Sequence, residues 1–161
     1  MSDIPESHPR YQSLKTRENL VAAAHAGVVS YEGLTSHGRG EAFDYLFGEK
    51  TSASALAAEK LAAAVLLAAK HPVLSINGNT AALAAAEIAD LQKASGAQVE
   101  VNLFHRTEER LKKVNAVLEE AGCLIMPKSV LDLTFTSPFM PKTPTIVPKI
   151  TCISSSLRKN R

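Results

Sequence analysis

Apolar positions follow a helical spacing over the first part of this chain and a strand-like spacing in two short runs later. Pro9 suits a first helical position, and Tyr11, Leu14, Val21 and Ala24 line one side until Gly27 stops the turn, which predicts a helix over residues 9–26. A second helical region is expected over residues 30–47, broken at Gly38-Arg39-Gly40 so that its second half opens near Glu41. Thr51 or Ser52 can cap a third helix that runs through Leu56, Leu61, Val65 and Leu67 to His71, where Pro72 ends it. Its alanines suit close packing against a neighbour.

Further on, Val73-Leu74-Ser75-Ile76-Asn77 favours a strand, Gly78-Asn79-Thr80 a tight turn, and residues 81–94 a helix. Val99 to Phe104 alternates as a second strand, and Thr107-Glu108-Glu109-Arg110 opens a helix lasting to Ala121, with Gly122 as its stop. Strand, tight turn, helix, strand, helix is the order of a parallel α/β unit, with a right-handed crossover and ligands beyond the carboxyl ends of the strands. The expected fold is α/β: N-terminal helices followed by an incomplete parallel sheet with flanking helices.

Composition divides the 161 residues at Cys123. Residues 1–123 hold 24 alanines and all 8 glycines, whereas residues 124–161 hold neither. Those last residues instead carry Pro127, Pro138, Pro141, Pro144 and Pro148 among serines and threonines, which argues against a long helix or a central strand. An irregular tail is expected there, either a natural disordered Pro/Ser/Thr-rich segment or the product of a shifted reading frame, and the abruptness of the change favours the second. Charge divides at the same place: 12 Lys+Arg against 15 Asp+Glu leave −3 up to Cys123, and 6 against 1 give +5 after it. The net +2 therefore belongs to the tail, and without an aromatic and basic stripe in the body no nucleic-acid partner is expected.

No apolar run reaches membrane-spanning length and Met1-Ser2-Asp3 does not open a signal peptide, so the expected location is cytoplasmic, with no membrane partner. Cys123 and Cys152 make no disulfide framework, and histidines scattered at 8, 25, 37, 71 and 105 make no metal cluster, so no structural metal is expected.

Gly38-Arg39-Gly40 is the first candidate for chemistry. Flanking glycines let a ligand approach closely, a helix opening near Glu41 would add free N–H groups, and Arg39 offers a planar fork that matches two phosphate oxygens. An ordinary flexible turn with a solvated arginine accounts for the same residues. At the strand ends, Asn77-Gly78-Asn79 and Phe104-His105-Arg106-Thr107 bring amides, an imidazole and a guanidinium toward one crevice. Turn chemistry alone explains Asn77 and Asn79, packing or solvation explains His105, and a surface pair with Glu109 explains Arg106. Gly-x-Gly-x-x-Gly does not follow the strand, so NAD is poorly supported.

Several of these segments occur together in one known family. Ile4-Pro5-Glu6-Ser7-His8-Pro9-Arg10-Tyr11, Arg17-Glu18, His37-Gly38-Arg39-Gly40-Glu41-Ala42-Phe43-Asp44-Tyr45-Leu46, Asn77-Gly78-Asn79, and Asn102-Leu103-Phe104 with Arg106-Thr107-Glu108-Glu109-Arg110 closely resemble archaeal phosphopantothenate synthetase. This family is also called 4-phosphopantoate:β-alanine ligase, and the resemblance runs over residues 3–123. It implies a Rossmann-like fold, a homodimer, and ATP-dependent joining of 4-phosphopantoate to β-alanine with release of AMP and diphosphate, in coenzyme A biosynthesis. It implies that Arg17 and Arg39 bind ATP, with Mg²⁺ between phosphate oxygens. No catalytic residue is assigned. His37, Gly38, Gly40, Asn77, Asn79, His105 and Arg106 are candidates for the substrate or nucleotide crevice.

The resemblance stops where the composition changes. The family's further strands, an acidic-glycine segment and an Asp-Leu-Asn-Pro turn are missing after Cys123, so a truncated and inactive copy is one expectation. A non-catalytic dimerisation or interaction module is the alternative, motivated by the alanine-rich third helix. A product that does not fold stably is the third reading, since a sheet of two parallel strands is marginal.

Overall fold

The computed structural model describes residues 4–126, so the expected tail lies almost wholly outside the described residues. Among these residues are five helices and a small parallel sheet, with the last two helices packed on the strands. Helix α1, Tyr11–His25, ends where Gly27 takes a φ of 80°; the Gly27 N–H bonds the Ala24 carbonyl and the Val28 N–H bonds the Ala23 carbonyl, both at 2.9 Å. That left-handed stop satisfies the last carbonyls and turns the chain sharply toward the next helix.

Helix α2, Tyr31–Phe47, is capped by the Ser30 hydroxyl, which accepts from the Gly33 N–H at 3.2 Å. It runs unbroken through Gly38-Arg39-Gly40, contrary to the expected break. Two helical glycines lower the propensity by about 1 kcal/mol each, yet the helix continues until Gly48 turns it at a φ of 82°. Arg39 therefore sits mid-helix, and its neighbourhood offers no helix mouth. Helix α3, Ala53–Ala68, is capped by Ser52 and stops three residues short of the expected His71, because the chain is already extended at Ala69 ahead of Pro72.

Strand β1, Val73–Ile76, pairs in parallel with β2, Gln98–Val101, in the register Val73 to Gln98 and Ile76 to Val101. Helix α4, Gly78–Ser95, crosses between them, and helix α5, Glu108–Glu120, follows β2. Both strands are shorter than their apolar runs: Asn77 leaves β1 to cap α4, and the chain leaves β2 before Leu103 and Phe104. The α4 start at Gly78, rather than at the expected Ala81, follows from that cap. Beyond Cys123, Ile125 forms a parallel bridge with Val99, and the Met126 N–H donates to the Val99 carbonyl at 2.8 Å. β2 thus has β1 on one side and the start of another extended segment on the other.

The main core lies between the strands and helices α4 and α5, with Ile76, Val99, Ile88, Val114 and Leu118 fully or nearly fully buried, and with Leu66 of α3 at its edge. A second, smaller cluster of Leu20, Val29 and Leu83 packs α1 against α4. α4 leaves helical dihedrals at Ala84, between Leu83 in the smaller cluster and Ile88 in the main one.

Candidate functional site

At the carboxyl end of β1, Asn77 is occupied with its own backbone. Its Oδ1 accepts from the Thr80 N–H at 2.9 Å and from the Thr80 hydroxyl at 3.1 Å, an N-cap for α4. Asn79 points away toward α2, where its Nδ2 donates to the Gly33 carbonyl at 2.9 Å. Between them Gly78 is buried against the Val28 carbonyl: a Cβ there would lie 2.5 Å from that oxygen and 2.8 Å from an Arg110 nitrogen. Only glycine fits under the clamp.

Arg110 forms that clamp. Its Nε donates to the Val28 carbonyl at 3.1 Å and its Nη1 to the His105 carbonyl at 2.9 Å, tying the turn after α1 to the loop after β2. Burial pushes the guanidinium pKa down, while the nearby Glu32 carboxylate opposes the shift. His105 lies with Nε2 3.7 Å from a Glu32 carboxylate oxygen and with its ring against Phe104, which is almost completely exposed. Arg106 is exposed, and Glu109, which could have paired with it, bonds Lys113 at 2.9 Å instead.

The second group of side chains lies between α1 and α2. Arg17 donates from Nη1 to the Leu34 carbonyl at 2.7 Å and stands 3.6 Å from a Glu41 oxygen; a Cβ at Gly38 would be 3.5 Å from the same nitrogen. Glu41, which exposes 18 % of its side chain, also faces His37 Nδ1 at 3.6 Å and Arg10 Nη2 at 3.8 Å. Arg10 spans the groove, with Nε 3.5 Å from Glu49 and its guanidinium 4.9 Å from the centre of the Tyr45 ring. The Ser13 hydroxyl holds Glu49. Beside this network lies an open groove of about 480 Å³, lined by Arg10, Gly38, Glu41, Ala42, Tyr45 and Leu46. Desolvation lowers the His37 pKa against the pull of Glu41, so the imidazole is neutral near pH 7 and the arginines supply the positive charge. Arg39 lies outside this network, exposed, with Nη2 bonded to Ser36 on its own helix at 3.1 Å.

The profile of the phosphopantothenate/pantothenate synthetase family matches residues 54–133, ten residues beyond the composition break at Cys123. A 4-phosphopantoate–β-alanine ligase of Methanospirillum hungatei is 65 % identical over 127 residues, which is 79 % of this chain and 52 % of that protein. The chain belongs to this family. Ligases of the same name from Methanosarcina mazei, 50 % identical over 122 residues, and from Thermococcus kodakarensis, 51 % identical over 114, cover 76 % and 71 % of the chain. The chain spans about half the length of these relatives: 52 %, 48 % and 44 %.

Within this phosphopantothenate/pantothenate synthetase frame, the candidates fall into two sets. Arg17, His37 and Gly38 come together between α1 and α2, where Gly38 lines the groove and the other two face Glu41, and Gly40 and Arg39 follow on the same helix. Asn77, Asn79 and His105 surround the Arg110 clamp at the strand ends. The two sets meet on one turn of α2, since Gly33 accepts from Asn79 and Leu34 from Arg17. Arg10, Glu41 and Arg110 were missed by local reasoning. Each acts on residues far along the chain, as Arg110 does on Val28, and no short motif encodes that.

Proposed function

We propose that this chain carries the arginine side of the site of an ATP-dependent ligase that joins 4-phosphopantoate to β-alanine, a step of coenzyme A biosynthesis. The carboxylate of 4-phosphopantoate attacks the α-phosphorus of ATP and diphosphate leaves. The β-alanine amine then attacks the acyl carbon; the new C–N bond replaces the C–O bond to AMP, and the amine proton passes to solvent or a base. Chemistry of this kind asks mainly for positioning and for positive charge on the phosphates. Arg17 suits that role because the Leu34 carbonyl holds its fork beside a glycine surface, open to a ligand. Arg39, exposed on the same helix as Gly38, is free to swing toward a bound triphosphate from outside the groove.

The observation that carries this reading is the 65 % identity to a ligase of that name over a stretch of 127 residues. Among the described residues no three His, Cys, Asp or Glu side chains converge to hold a metal. Mg²⁺ would therefore arrive on the triphosphate, held by phosphate oxygens and water. No helix among the described residues is long and apolar enough to cross a membrane, which is compatible with a cytoplasmic enzyme. A homodimer forms part of the same reading, supported by the exposed apolar faces of α2 and α3.

The test is ATP binding by calorimetry together with AMP release. The reading expects the chain to bind ATP and to lose that binding in Arg17→Ala, and expects AMP only when both 4-phosphopantoate and β-alanine are present. Undiminished ATP binding by Arg17→Ala overturns it. ATP binding without any AMP release favours the second reading, a non-catalytic module that assembles through the uncovered α3 face.

A further inference from the structure

The network around Glu41 is held by charge rather than by hydrogen bonds. Its carboxylate reaches Arg17, His37 and Arg10 only at 3.6, 3.6 and 3.8 Å. Arg10 Nε, Arg10 Nη2 and His37 Nδ1 are screened from water and make no hydrogen bond. Buried polar groups are ordinarily satisfied, and the two Arg10 donors, which face Glu49 and Glu41 only at 3.5 and 3.8 Å, mark a place where a closer acceptor fits. Arg17 needs no help from Glu41 to keep its position, because the Leu34 carbonyl anchors it at 2.7 Å. Gly38, which lines the groove, puts no side chain between it and Arg17, whose side chain is 37 % exposed. Glu41 itself lines the groove, so an entering anion meets it directly.

We propose that the α1–α2 groove is an oxyanion subsite in which a phosphate or carboxylate group takes the place of Glu41 between Arg10 and Arg17. Arg10 is then a direct ligand contact, and Glu41 is the internal counter-anion of the empty groove. The inference rests on the ligase reading for Arg17 and for nucleotide and β-alanine as sources of the oxyanion, and goes beyond it at Arg10 and Glu41. Charge-assisted contacts to a ligand form at about 2.7–2.9 Å, shorter than any the carboxylate now makes with these arginines. The aromatic ring of Tyr45 steadies the Arg10 guanidinium from the other side.

The 161-residue chain, with Glu41→Gln, Arg10→Gln and Arg10→Lys variants, is titrated by calorimetry with diphosphate, ATP and β-alanine separately. Glu41→Gln is expected to bind the oxyanion several-fold tighter, and Arg10→Gln about tenfold weaker, as for one charge-assisted contact. Arg10→Lys, which keeps the charge and loses the fork, falls between. Shifts with diphosphate and ATP identify a phosphate occupant, and shifts with β-alanine a carboxylate. Should Arg10→Gln lose its thermal transition, Glu41→Gln and Arg10→Lys decide alone. No binding of any probe by the parent chain, unchanged affinities in the variants, or weaker binding by Glu41→Gln overturns the subsite. The diphosphate titration stands whether or not AMP is ever released, so failure of the ligase reading is read separately.

Discussion

Arg17 and Arg39 differ in what else they do, and that separates the consequences of removing them. Arg17 satisfies the Leu34 carbonyl and faces Glu41, whereas Arg39 bonds only Ser36 on its own exposed helix surface. Arg39→Ala is expected to weaken ATP by about 1.5–3 kcal/mol, as for a charged hydrogen bond, and to leave the melting temperature alone. Arg17→Ala is expected to weaken ATP comparably and also to lower the melting temperature. Calorimetry paired with thermal melts checks both, and ATP binding by Arg39→Ala equal to that of the parent chain removes Arg39 from the site. His37 gives a pH dependence of known sign. Burial holds its folded pKa below the ordinary 6.5, so between the two values the unfolded chain binds more protons than the folded one. The stability contributed by neutral His37 is therefore complete above pH 6.5 and drains away as the pH falls toward the folded pKa. Melts between pH 7.5 and about 5 should show a loss that His37→Gln reduces; an identical loss in that variant assigns the effect to other groups.

At the scale of the element, most of the helices were legible because their stops and caps are local chemistry. Ser30, Ser52 and Thr107 cap as their hydroxyls allow, and Gly27, Gly48, Gly96 and Gly122 all take positive φ at helix ends. What misled was the closely spaced pair Gly38 and Gly40 inside a helix that also holds Gly33. At Gly38 and Gly40 the residue type suggested a break, but the helix is maintained, and Gly38 gives room for the Arg17 guanidinium alongside. The strands were legible as apolar runs and misjudged in length, since a run says what is buried and not where pairing stops: Leu103 is buried outside the ladder. At the strand ends Asn77 bonds Thr80 and Asn79 bonds the Gly33 carbonyl, bonds that hold the fold. Asn77→Ala tests that assignment. Losing a cap that satisfies the Thr80 N–H should cost about 1 kcal/mol of stability by denaturant titration and leave ATP affinity unchanged. A large loss of affinity without loss of stability returns Asn77 to the ligand.

At the scale of the whole molecule, the described residues leave two helices poorly covered, and α3 sharpens the argument for a partner. Of its 16 residues only Leu66 is buried, while Leu61 and Leu67 are 66 % and 61 % exposed. Most helical stability in proteins comes from packing an apolar face, and α3 buries only one side chain fully against the described residues. Eight alanines keep its surface low, which lets another helix backbone approach closely. On α2, which buries no side chain fully, Phe43 and Phe47 stack at 4.5 Å in the open. Soluble monomers rarely leave large apolar patches uncovered, and a specific dimer needs about 800 Å² from each partner. A second copy of the chain meeting α3 against α3 would bury Leu61 and Leu67 symmetrically, since a two-fold interface presents the same surface from both sides. Sedimentation equilibrium of the 161-residue chain is therefore expected to give a dimer that dissociates on dilution, with a melting temperature that rises with protein concentration. Leu61→Lys should shift the equilibrium to monomer, because a cation in an apolar contact must be desolvated without a partner. A chain that stays monomeric across the micromolar range, with a melting temperature independent of concentration, rules out the α3 dimer.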